Sequence, residues 1–273
     1  MSVAAPMRVP VARVAPLAAF GTRRSLRVFE RNYVAYRRIW VVLISGFFEP
    51  VFYLFSLGLG LEHLVGTVAA PGGRVVSYAT FVAPGLLASS AMNGGVYEVT
   101  NIFWKMKYAK LYDAMLATPV GPRDVALGEM LTALARGALY SACFVAVIAV
   151  MGLVESWWGL AMLPAALVIG FVFSTVGSAA TTHMRSWQDM ELVQVVLMPL
   201  FLFSATFYPL ATYSRPLQVI VQCTPLYHGV ALERELAVGA VGIGTAVHIV
   251  YLVTLGAFGL VVTGRRMEKL MLT

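Results

Sequence analysis

Hydrophobic residues fall into six runs along the chain, separated by short polar or glycine- and proline-bearing stretches. They cover residues 39–61, 78–97, 125–154, 157–182, 192–210 and 241–264. Each reaches the roughly 20 residues an α-helix needs to cross about 30 Å of hydrocarbon. Barrel strands are shorter, and a helix satisfies its own backbone polar groups inside lipid. The pattern predicts an all-α membrane protein, with six transmembrane helices in one unit over residues 23–264.

The polar stretches carry a second pattern. Between 23 and 40, Leu26, Phe29, Tyr33, Tyr36 and Trp40 share one helical arc, and Arg23, Arg24, Arg27, Arg31 and Arg38 share the next. That predicts an amphipathic helix in the headgroup plane, arginines toward anionic lipid. A plain positive-inside anchor is the alternative. Between the second and third runs, Trp104, Tyr108, Leu111 and Met115 fall on one stripe of a helix over 103–115. Phe103, Lys105, Lys107, Lys110 and Asp113 lie around the rest. Thr118-Pro119 ends this helix, Gly121-Pro122 turns, and Asp124 suits the start of the third span. Such a helix can dock in another protein's groove or simply lie on the bilayer. Residues 211–240 are largely apolar yet hold Pro216, Pro225, His228, Glu233, Arg234 and Glu235. With Pro209 they read as an outer hairpin of short helices dipping back toward the bilayer.

Composition sharpens this picture. The chain has 273 residues, 59% hydrophobic and only 12% charged, and a mean hydropathy of +0.79. That is too few charges to cover a soluble globule and too apolar for disorder. The net charge is +7. With the amino terminus inside, sixteen basic residues fall on inner segments and three, Arg74, Arg215 and Arg234, on outer ones. The bias predicts cytoplasmic amino and carboxyl ends. Basic residues that flank spans exclude a nucleic-acid domain. Residues 1–22 read as a disordered cytoplasmic tail without a secretory signal pattern, and 265–273 as a second tail. Cys143 and Cys223 have no metal-ligand spacing and read as packing residues.

Glu49, Glu129, Arg136 and His248 lie within apolar runs, and Glu98 ends one. Ionisable groups there suggest a gate or coupling network; structural pairing is the alternative, and a packed, hydrogen-bonded role fits His248. No phosphate-binding G-x-x-x-x-G-K-[ST], no H-E-x-x-H and no G-x-S-x-G occurs. The expectation is a chain that is not an enzyme and binds no cofactor or metal of its own.

The stretch MNGGVYEVTNIFWKMKYAKLYDAMLATPVGPRDVALGEM, Met92 to Met130, resembles permease subunits of type-2 ABC transporters. Its L-x-x-P-V-x-x-x-D element is Leu116, Pro119, Val120 and Asp124. PLFLFSATFYPL, Pro199 to Leu210, followed by Thr224-Pro225-Leu226-Tyr227-His228, resembles the family's fifth span and outer hairpin. Ser204-Ala205 replaces the family's frequent Ser-Gly. The nearest branch holds nodulation lipo-oligosaccharide exporters and drug-resistance permeases. The resemblance implies a bacterial inner-membrane exporter subunit, paired with a second permease copy or a homologue. ATP and Mg would sit on separate ATP-binding subunits. It implies that 103–115 is the coupling helix and that the amino-terminal helix is a connecting helix beside the ATPase. The cargo would be amphipathic: a drug, a lipid or a glycolipid. Two alternatives stay open, a polysaccharide permease of the same family and a stand-alone scaffold or proton-coupled carrier using Glu49, Glu98 and Glu129.

Overall fold

The computed structural model describes residues 22–37, 48–184, 186 and 188–272. Nearly all of the expected amino-terminal tail, Arg38, Trp40 and the first half of the first span lie outside the described residues. Helix α1 is Thr22–Arg37. Helical residues 48–53 widen into a π-helical stretch at Leu54–Leu59. Then come a single turn at Glu62–Val65 and the antiparallel strands β1 (Thr67–Ala69) and β2 (Val75–Ser77), Thr67 opposite Ser77. This hairpin corrects the all-α expectation. Valines 68, 75 and 76 favour the strands, and Pro71-Gly72-Gly73 turns the chain, with φ +76° and +72° at the glycines.

The remaining helices are α2 (Tyr78–Lys107), α3 (Leu111–Leu116), α4 (Pro122–Val150), α5 (Met162–Thr181), α6 (Asp189–Leu202), α7 (Arg215–Gln222), α8 (Pro225–Val238) and α9 (Ile243–Leu272). Their starts follow the sequence. Ser77 accepts from Thr80 N at 3.3 Å, and Asp124 Oδ2 accepts from Gly121 N at 3.0 Å. Among the described residues three helical segments are long and apolar enough to cross a membrane: Pro122–Val150, Trp157–Thr181 and Ile243–Leu270. They correspond to the third, fourth and sixth runs. α2 is 30 residues long, with Ser89, Ser90 and Asn93 in its middle. The fifth run splits. α6 stops at Leu202, because Ser204 donates to Phe201 O at 3.0 Å and Ala205 takes a left-handed φ of +59°. α9 continues through the expected tail to Leu272.

α2 lies at the centre, packed against α4, α5 and α8. Small residues allow this. A Cβ at Gly94 would stand 3.1 Å from Gly137 Cα, and one at Gly95 2.6 Å from Gly170 O. The main core holds Phe81, Leu87, Met92, Phe144, Ile169 and Leu226. A second, smaller core joins Ile102, Tyr112, Val125, Ala126 and Met267 at the end of the bundle where α2 finishes and α4 begins.

α1 packs on α4 through an unexpected face. Ser25, Val28 and Asn32 are buried, whereas Leu26 and Tyr33 of the apolar arc are 47% and 61% exposed. Asn32 Nδ2 donates to Thr132 Oγ1 at 3.1 Å, and Gly128 leaves room for Val28, whose Cβ is 2.5 Å from where a Gly128 Cβ would be. One satisfied hydrogen bond and a glycine groove set the contact, and the aromatic arc is left as a flank.

Candidate functional site

Three groups of side chains carry the residues singled out from the sequence. The first surrounds the small core. α2 runs past its apolar part and ends at Tyr108. Lys110 then takes a left-handed φ of +44°, so the helix expected over 103–115 is two pieces, and its stripe is broken. Such a conformation costs a non-glycine residue about 1–2 kcal/mol. Burial of Tyr112, the buried side chain of α3, offsets it. Trp104 and Tyr108 are exposed, as is Lys110, and Leu111 is half-buried. The side chains of Phe103, Lys107 and Glu98 lie outside the described ones.

Lys105 does not join the exposed rim. Its Nζ turns inward and donates to Glu129 Oε2 at 2.7 Å, with Glu129 fully buried. A buried carboxylate needs such a partner. Arg24 Nη1 donates to Pro119 O at 2.9 Å and ties α1 to the loop before α4. Arg23, Arg27 and Arg31 are exposed and Phe29 is half-buried, so α1 presents arginines beside an apolar flank.

The second group is a small polar cavity among α2, α4, α6 and the 48–53 helix, lined by Glu49, Ser90, Asn93, Tyr97, Tyr140 and Phe201. Arg136 Nε donates to Tyr140 Oη at 2.8 Å, with its guanidinium over that ring. Glu49 lines this cavity, and Arg136 reaches it only through Tyr140. Glu129 belongs to the first group, so the acid and base expected to work together are divided.

The third group lies at the opposite end. A cavity of about 190 Å³ there is lined by Phe81, Pro209, Tyr227, Arg234, Glu235 and His248. Pro225 opens α8 behind Thr224, whose hydroxyl accepts from Tyr227 N at 3.4 Å. Arg234 is buried, donates to the carbonyls of Phe81, Ala205 and Thr206 at 3.1, 3.0 and 3.3 Å, and lies 3.7 Å from the Phe81 ring centre. It staples the 204–206 turn to α2. Glu233 is fully buried, with neither oxygen hydrogen-bonded among the described residues, and burial pushes its carboxyl well above the usual range. His228 and His248 meet through their Nδ1 atoms at 2.7 Å, so the lone histidine of the last run has a ring partner. The sequence spacing of 20 gave no signal for that pair. Cys143 and Cys223 are exposed and free, which corrects their reading as packing residues.

A helical bundle with membrane-length helices is the architecture of a membrane protein. The chain belongs to the ABC-2 type transporter family, whose model matches residues 25–236. It is similar to Nodulation protein J of Rhizobium leguminosarum bv. trifolii, 31% identical over 84% of this chain and 87% of that one. Nodulation protein J of the viciae biovar is 30% identical over 82% and 86%. The inner membrane transport permease YadH of Escherichia coli is 25% identical over 67% and 70%. The family's membrane subunits are transport components that normally work with an ABC ATP-binding subunit.

Proposed function

We propose that this chain is the permease subunit of an ATP-driven exporter in a bacterial inner membrane. It has six spans near the runs at 39–61, 78–97, 125–154, 157–182, 192–210 and 241–264, with both termini in the cytoplasm. Two permeases, identical or homologous, assemble with two ATP-binding subunits that hold ATP and Mg. The observation that carries this reading is the end of α2. A central helix of the bundle leaves its apolar section and presents Trp104 and Tyr108 to solvent beside α3, whose Asp113 and Ala114 are exposed. Behind them the Lys105–Glu129 pair fixes α2 to α4. Aromatic anchors on a braced mount suit a protein partner better than a lipid surface. ATP-driven closure of the partner subunits moves this mount, and α2 and α4 carry the movement to the cavity at Glu49 and Tyr140. α1 lies at the membrane surface, arginines toward headgroups.

The cargo is amphipathic. The likeness to nodulation proteins favours a glycolipid over a drug, and multidrug efflux with antibiotic resistance is the second cargo reading. Co-expression with the ATP-binding subunit tests the docking. Tyr108→Asp abolishes cargo-stimulated ATP hydrolysis, measured on purified complex, while the permease still reaches the membrane. Full stimulation in that variant overturns the docking role. A proton-coupled carrier would copurify with no ATP-binding subunit at all.

A further inference from the structure

The last helix touches both ends of the molecule. α9 is 30 residues, about 45 Å at 1.5 Å per residue, and contains no proline, unlike α2 with Pro84 and α6 with Pro199. At one end Met267 is 1% exposed and sits in the small core with Tyr112 of α3. Glu268 beside it accepts from Arg123 at 2.8 Å, which ties the helix to the first turn of α4. At the other end Thr245 Oγ1 donates to Glu235 Oε2 at 2.6 Å, His248 meets His228 at 2.7 Å, and Tyr251 Oη donates to Cys223 O at 2.7 Å. Between them α9 lies along α5, where a Cβ at Gly259 would meet Val176 N at 2.9 Å.

We propose that α9 is a push rod that carries movement of α3 directly to the outer helical hairpin α7–α8, with Met267 and Thr245 as the positioning residues at its two ends. This rests on the docking role of Trp104 and Tyr108. α3 has six residues and a strained entry at Lys110, so it cannot transmit force along its own axis. Displacement must leave it sideways, through Tyr112 into the packed cluster that holds Met267, because close-packed side chains move together or not at all. An uninterrupted helix then delivers the shift to three hydrogen-bonded attachments on α7–α8. The path bypasses the polar cavity at Glu49, so the outer hairpin can respond to ATP before any cargo enters.

Cys223 supplies the reporter, since it is exposed and lies at the end of α7. With Cys143→Ser, a fluorophore on Cys223 is followed in the complete permease–ATPase complex in lipid nanodiscs, and ATP alone is added. The parent complex gives an ATP-dependent emission shift. Met267→Ala and Thr245→Val each remove most of the shift, and Met267→Leu restores it. The leucine control separates loss of position from loss of fold. A full shift in either the alanine or the valine variant overturns the push rod. A parent preparation that retains no ATP-binding subunit overturns the docking role instead, and the push rod with it.

Discussion

The two ends of the bundle solve the same problem, a buried charge, in opposite ways. Near Tyr112, Lys105 is paired with the buried Glu129, and at the surface beside it Arg123 is paired with Glu268. Each pair joins two separate helices through flexible side chains. At the far end Arg234 bonds to three backbone carbonyls on a neighbouring helix and turn, and the buried Glu233 next to it has no hydrogen bond among the described residues. Carbonyls cannot reorient without moving the chain. The first end is thus held by contacts that can slide, and the second by one that fixes backbone to backbone. That division suits the proposed exporter, in which the mount at Trp104 and Tyr108 moves and the α7–α8 hairpin shifts as a unit.

Substitutions can break this contrast, and the largest effect belongs to the staple. Arg234→Ala removes three charge-assisted hydrogen bonds and strands three carbonyls, a loss of about 3–5 kcal/mol or more. Thermal unfolding in detergent registers it, and rapid protease cleavage within 204–224 shows where the structure opens. A fall no larger than that of Lys105→Ala would erase the difference between the two ends.

Lys105→Ala comes next. It leaves the fully buried Glu129 carboxylate without its cation, at about 3 kcal/mol. Lys105→Ala with Glu129→Leu recovers most of that stability in the same unfolding assay but not cargo-stimulated ATP hydrolysis. Recovery of both would make the pair purely structural.

The smallest effect is a pH response at the outer hairpin. Burial and the neighbouring His248 hold His228 below its ordinary 6.5. At this site the folded protein therefore binds fewer protons than the unfolded chain just below pH 6.5, so the His228 contribution to stability falls as pH drops through that window and is constant above it. Unfolding temperature against pH measures this as the gap between the parent and His228→Gln, which is constant above pH 6.5 and changes only below it.

Parts of this arrangement are legible in residues alone. Three long apolar runs became three membrane-length helices because hydropathy and length are local properties. Asp124 caps α4 and Pro225 opens α8, since caps and proline act within a few residues. Exposure of Trp104 and Tyr108 also followed from their place between runs. The inward turn of Lys105, the break at Lys110 and the pairing of His228 with His248 did not. Each depends on a residue from a distant part of the chain, and no spacing rule reaches Glu129, Met267 or a second ring 20 positions away.

What the sequence determined by itself was which segments prefer lipid to water and where helices begin, since those free energies are set by neighbours in the chain. Tertiary structure decided which face of α1 meets protein and how far α9 reaches. An amphipathic arc states only that a side is apolar. A glycine at 128 and a threonine at 132, placed by the packing of another helix, turned Val28 and Asn32 inward and left Leu26 and Tyr33 outside.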